Sequence, residues 1–147
     1  MVKVLIVYYS LSGNTKAAAE EVAEGIKIAG AKSIIRKGFE ASPEELLNCD
    51  AIAVGTPEYF SYMAGEVKDF FDRSFYPTQG KVTGKPCAIF VTHGGGDSAG
   101  DSVKNICSTF KFKLIGEPLS VKNRPDKDAS VKLRELGKNL VKACLKE

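Results

Sequence analysis

The sequence predicts an α/β domain, a parallel sheet with helices packed on both faces. Near-continuous apolar runs at 2–8, 50–55 and 87–92 have the character of strands buried on both sides. Between them, apolar residues recur at helical spacing. The two patterns alternate strictly, and βα alternation within one sheet calls for parallel strands with crossover helices.

The elements follow in order. Val2 to Tyr8 forms the first strand. From Asn14 the period becomes helical, with Ala19, Val22, Ala23 and Ile26 on one face and Glu20, Glu24 and Lys27 outward, and Gly30 closes the helix. Lys32 to Arg36 is a short second strand. Ser42-Pro43-Glu44-Glu45 supplies an N-cap, a proline at the first helical position and a capping-box glutamate. Asp50 to Gly55 is the third strand. Met63, Val67, Phe70 and Phe71 mark a third helix ending near Ser74, and a loop with Pro77, Gly80, Gly84 and Pro86 leads to the fourth strand, Cys87 to Thr92. Val103, Ile106, Cys107 and Phe110 mark the fourth helix. Lys113 to Ile115 is the fifth strand, bent at Gly116-Glu117-Pro118 and resuming at Leu119. Asp126 or Asp128 caps a last helix with the stripe Leu133, Leu136, Leu140 and Cys144. The result is one doubly wound domain over residues 1–147.

Composition narrows the function. With 44% hydrophobic and 27% charged residues, disorder, collagen and coiled coil are poor readings. No apolar run approaches the roughly 18 residues needed to cross a bilayer. The short N-terminal apolar run meets polar Ser10 and reads as a strand rather than a signal peptide. Cys49, Cys87, Cys107 and Cys144 are dispersed in sequence and form no Cys-x-x-Cys pair. With one histidine in the chain, zinc is not expected. Buried free thiols and a reducing, cytoplasmic setting are the expectation. Residues 111–147 hold 10 Lys and Arg against 5 Asp and Glu, whereas residues 1–110 hold 11 against 13. The basic tail punctuates an apolar helical stripe, as solvated faces do, so neither nucleic acid nor a membrane is expected as a partner.

In a doubly wound sheet the ligand lies beyond the carboxyl ends of the strands. The loop after the first strand, Ser10-Leu11-Ser12-Gly13-Asn14-Thr15, carries three hydroxyls, an amide and a glycine into a helix N-terminus, which makes an anion site. It lacks the Walker lysine and the Gly-x-Gly-x-x-Gly pattern, so a compact phosphate monoester fits best. An ordinary turn capped by Ser12 or Asn14 is the competing reading. A receiver domain is excluded, because Tyr8-Tyr9 and Gly55-Thr56 stand where its aspartates belong.

Tyr9-Ser10-Leu11-Ser12-Gly13-Asn14-Thr15, directly after the first strand, resembles the phosphate-binding loop of the flavodoxin family, over essentially the whole chain in element order and loop position. The resemblance implies a five-stranded sheet of order 2-1-3-4-5 and FMN as cofactor. Its phosphate would be held by Ser10, Ser12, Asn14 and Thr15 and by the backbone of Leu11 and Gly13. Gly55-Thr56-Pro57, Met63-Ala64-Gly65 and Phe70-Phe71-Asp72-Arg73 are similar to the NAD(P)H:quinone oxidoreductase branch of flavodoxin-like proteins. In that likeness Thr56, Pro57, Glu58, Tyr59 and Phe60 lie along the isoalloxazine edge. The loop has no glycine before Gly65, which departs from carriers that flip a peptide there. Of its two aromatics, Phe60 is the stronger candidate for core packing, as a staple onto the third helix.

The third loop, Thr92-His93-Gly94-Gly95-Gly96-Asp97, spends conformational entropy on three glycines, consistent with backbone approach to a flat ring. It has no stacking aromatic, and His93 is a candidate proton donor. Glu58, Asp97 and Asp101 place negative charge near the ring. The function expected is electron transfer on non-covalently bound FMN between redox partner proteins, by a monomer or weak homodimer. The alternative is an FMN-dependent NAD(P)H:quinone oxidoreductase.

Overall fold

The computed structural model describes residues 1–146, so Glu147 of the expected domain lies outside it. The elements are β1 (Lys3–Tyr8), α1 (Asn14–Ile28), β2 (Lys32–Lys37), α2 (Pro43–Asn48), β3 (Ala51–Pro57), α3 (Gly65–Thr78), β4 (Pro86–His93), α4 (Ala99–Phe110), β5 (Lys113–Leu114), β6 (Leu119–Lys122) and α5 (Lys127–Leu145). All strands pair in parallel in the order β2-β1-β3-β4-β5, with β6 also on β4. The doubly wound parallel sheet that the alternation predicts is present, in the flavodoxin-like order that the resemblance implies.

The fifth strand is where expectation needed most adjustment. Cys87 pairs with Leu114 and Phe90 with Leu119, so five residues of the edge run match three of β4. The slack is taken up around Gly116, at φ 76°, and Pro118, which cannot donate to a ladder. Two short strands therefore share one edge, and the second ends with Lys122 opposite His93. Helix α3 runs past Ser74 to Thr78, because Phe75 packs onto the core and meets Phe110 with ring centres 5.2 Å apart. The Thr78 hydroxyl donates to the Ser74 carbonyl, and Pro77 sits in this last turn.

Strand alternation divides the core between the two faces. Val4, Ile6, Tyr8, Ala51, Ala53 and Ala88 face α1 and α5, while Leu5, Val7, Ile52, Val54, Ile89 and Val91 face α3 and α4. The α1 side is thin because its strands offer small side chains and its helices touch closely. A Cβ on Gly25 would run into the Arg134 carbonyl, and one on Gly137 into that of Val22. Glu21 and Arg134 pair at 2.8 Å across the same crossing. The capping box at Ser42 and Glu45 starts α2 as expected, and Asp126 caps α5 by accepting from the Ala129 N–H.

The thiols are free, with Cys49, Cys87 and Cys107 buried and Cys144 half-exposed. Cys87 and Cys107 are far apart in sequence, yet their sulfurs lie 3.5 Å apart between β4 and α4. The bond to Cys107, together with burial, pushes the Cys87 thiol well above its usual 9.0. Burial likewise raises Cys49. The fold thus holds protons that the unfolded chain releases first as pH rises. Stability contributed by these thiols is complete below their unfolded value and is lost as pH climbs toward the folded one. Urea stability should decline as pH passes about 9, and at about pH 8 iodoacetamide should alkylate Cys144 well ahead of the other three. Equal labelling of all four in the native protein would contradict this packing.

Candidate functional site

Loops after β1, β3 and β4 leave the same edge of the sheet and are tied together there. The first begins where the apolar strand meets Ser10, whose Oγ accepts from the Gly13 N–H at 3.1 Å. Gly13 stands at φ 98°, a left-handed turn that redirects the chain into α1. The competing reading, a turn capped by Ser12 or Asn14, is not what forms. The N-cap is Gly13, no side chain caps the helix, and its first turn holds no acid. Among the described residues the N–H groups of Asn14, Thr15 and Lys16 have no acceptor. Leu11 and Ser12 are exposed beside them. This is an open helix N-terminus with hydroxyls around it, suited to an anion.

Thr15 is buried, and its hydroxyl bonds that of Thr92, also buried, at 2.7 Å. The pair owns two protons and spends one between them, leaving the other hydroxyl proton for an acceptor outside. This bond joins the start of α1 to the end of β4.

In the second loop, Thr56 is wholly buried. Its hydroxyl donates to the Pro57 carbonyl at 2.8 Å and accepts from the Ala64 N–H at 2.9 Å, so the side chain holds the loop's own shape. The Glu58 N–H donates to the Thr92 carbonyl, and the Glu58 carboxylate accepts from the Ala99 N–H at 2.6 Å. Tyr59 and Tyr62 close a two-residue hairpin through reciprocal backbone bonds, with Phe60 and Ser61 at its tip. Both tip residues are left-handed, at φ 55° and 62°, where asparagine and glycine are usual. Core packing, the lesser reading for both aromatics, holds for Tyr59 and not for Phe60. Phe60, at 102% relative exposure, does not staple onto α3. Tyr59 packs on the core instead, 6.2 Å from the Tyr9 ring and edge-on to it, and burial raises its hydroxyl pKa.

In the third loop, Gly94, Gly95 and Gly96 are exposed, and their N–H groups have no acceptor among the described residues. None is left-handed, and a Cβ on Gly95 or Gly96 would meet no protein atom. No contact within the protein requires glycine at Gly95 or Gly96, and the strip of backbone stands open. His93 Nε2 lies 2.7 Å from Ser120 Oγ, its Nδ1 has no partner, and Asp97 is exposed. Sequence reasoning missed Ser120 and Asn123, whose N–H donates to the His93 carbonyl. Carrying the fifth strand on from Leu119 in parallel with β4 was the signal that could have found them. A cavity of about 470 Å³, lined in part by Met1, Asp50, Pro86 and Cys144, lies at the opposite end of the strands, away from these loops.

Residues 34–126 match the model of a family described as NADPH-dependent FMN reductase, well over half of the chain. The chain belongs to that family. NAD(P)H dehydrogenase (quinone) 3 of Rhizobium meliloti is 31% identical to it, over 84% of this chain and 70% of that protein. A flavodoxin of Aquifex aeolicus is 32% identical over 79% of this chain, and the match spans 65% of that flavodoxin. Among solved structures, a flavodoxin from the domain Archaea superposes with a TM-score of 0.91 at 24% identity, covering 98% of this chain and 99% of its own. Megasphaera elsdenii flavodoxin gives 0.82 at 29% identity, covering 95% and 98%. The family and fold together are those of flavodoxin-like, flavin-binding proteins. Among the described residues no group of His, Cys, Asp and Glu could hold a metal, and no helix is long and apolar enough to cross a membrane.

The Thr15–Thr92 bond gives a direct test of how the edge is held. Thr15→Val leaves the Thr92 hydroxyl buried without its partner and should cost about 1–3 kcal/mol in urea unfolding, whereas Thr15→Ser should cost far less. Equal stability of Thr15→Val and the parent would show that the seam does not depend on this bond.

Proposed function

We propose that the chain is a flavodoxin-type electron-transfer protein, carrying electrons between redox partners on non-covalently bound FMN in a single domain over residues 1–147. The observation that carries this reading is the open N-terminus of α1, where three adjacent N–H groups are free and no carboxylate opposes an anion. Ser10, Ser12, Asn14 and Thr15 surround it with short polar side chains, and the backbone of Leu11 and Gly13 completes the loop. A phosphate monoester suits that site, because helix dipole and hydrogen bonds suffice without a Walker-type lysine in the loop.

The residues at the ring end fit a flavin as well. Gly94 to Gly96 leave a clear strip of backbone donors, with Thr92 and His93 behind it and Asp97 after it. Pro57 to Phe60 supply the opposite side, with Glu58 fixed and Phe60 projecting. When bound, FMN supplies the one- and two-electron chemistry, and the protein supplies orientation and electrostatics. The exposure of Phe60 and Gly94 to Gly96 favours a carrier, since an open edge is reachable by another macromolecule. Likeness to Megasphaera elsdenii flavodoxin at 29% identity supports the same reading.

A second reading, an FMN-dependent NAD(P)H:quinone oxidoreductase, is favoured by the family description and by relatives named NAD(P)H dehydrogenase (quinone). Two kinetic measurements separate the readings. A carrier accepts electrons rapidly from a reduced ferredoxin-type donor in stopped flow and turns over NADH or NADPH with benzoquinone negligibly. Fast nicotinamide oxidation with benzoquinone would promote the reductase.

The basic tail is not the docking surface in this account. Lys138 and Lys142 lie in the distal half of α5, whose last turn reaches the amino-terminal strand end through Cys144 and Asp50. Charge reversal at both should leave electron-transfer rates within a factor of about two at physiological salt, where screening beyond ~8 Å is strong. A tenfold loss would move the partner site to the tail.

A further inference from the structure

We propose that Glu58 is a positioning residue, a carboxylate latch that caps α4 from a distant loop and so holds the second and third loops as one body. The Asp97 and Ser98 carbonyls accept from the N–H groups of Gly100, Asp101 and Ser102, but the first N–H of α4, that of Ala99, finds no acceptor within its own segment. The N-cap, Ser98, is in right-handed helical geometry and makes no side-chain cap bond. The Ala99 N–H is instead satisfied by Glu58 Oε1 at 2.6 Å, from 41 residues earlier in the chain. A carboxylate at a helix N-terminus gains a charge-assisted bond and the favourable end of the dipole.

The latch has company on both sides. Through its own N–H, Glu58 also holds the Thr92 carbonyl, so this residue grips the end of β4 and the start of α4 together. Five residues on, the Met63 N–H donates to Ser102 Oγ at 3.0 Å, and that hydroxyl donates to the Ala99 carbonyl at 2.7 Å. Between these anchors sits the hairpin whose tip, Phe60 and Ser61, is left-handed at both positions. Such a tip persists where flanking structure over-determines it. Glu58 and Met63 are the flanks. Glu58 is therefore fixed as an acceptor at a helix start, and its charge is held in place with it.

The consequence for ligand retention rests on the FMN reading above, while the latch itself stands on the protein alone. The test measures amide exchange in the flavin-free protein, then FMN dissociation and midpoint potential in the loaded protein, for Glu58→Ala, Glu58→Gln and Glu58→Asp. Glutamine keeps an acceptor at the right reach and loses the charge, whereas aspartate keeps the charge and loses the reach. Exchange at residues 99–102 and 59–62 should quicken roughly tenfold in the alanine and aspartate variants, the scale of a lost helix cap, and by a clearly smaller factor in the glutamine variant, which keeps the acceptor and loses only the charge assistance. FMN dissociation should follow the same order, whereas the midpoint potential should shift alike in Glu58→Ala and Glu58→Gln, which both lose the charge, so that it moves independently of exchange. If alanine leaves exchange unchanged, or aspartate behaves as the parent while glutamine does not, the latch is wrong and the charge is what matters. Should alanine fail to fold, the contrast between aspartate and glutamine decides alone. Failure of the parent to bind FMN would overturn the functional reading and leave the exchange result standing.

Discussion

Parallel pairing puts the carboxyl ends of β1, β3, β4 and β6 along one edge of the sheet, and every loop of the candidate site leaves from that edge. The constraint comes from βα alternation, since each strand must return through a helix before it can pair in the same direction. Everything chemically distinctive follows from what that edge collects. An uncapped helix start, a strained hairpin and a run of glycines would each be a local cost if they stood apart. Brought together, they form a surface of free donors beside an exposed aromatic ring.

Hydrogen bonds tie the loops of this edge to one another. Thr15 to Thr92, Glu58 to Thr92 and Ala99, Met63 to Ser102, and Asn123 to His93 connect segments far apart in sequence. Buried or half-buried bonds of this kind matter chiefly through the cost of leaving them unmade. The left-handed tip at Phe60 and Ser61 is kept between two of these anchors.

Much of this was legible in the residues. Strand and helix order, the capping box at Ser42 and Gly30 after α1 all follow from local rules, and the structure bears them out. What escaped was tertiary. Pro77 looked like the loop after a helix that ends near Ser74, but Phe75 had core to bury, and the helix runs on to Thr78. Cys87 and Cys107 are twenty residues apart and gave no sign of their contact. Glu58 reads from sequence as a loop charge, because its partner is a backbone N–H on another element, and backbone donors leave no mark in composition. Tyr59 turns inward onto the core because its bridge to Tyr62 sets the hairpin, a pairing that local sequence rules did not reveal.

The central claim is that the start of α1 holds the phosphate of a flavin mononucleotide. Calorimetric titration of the flavin-free protein with FMN and with riboflavin, which differ by that phosphate, tests it most directly. Several charge-assisted hydrogen bonds to one phosphate predict one FMN per chain, with riboflavin at least about a hundredfold weaker. Equal affinities for the two flavins, or no binding of either, would contradict the account.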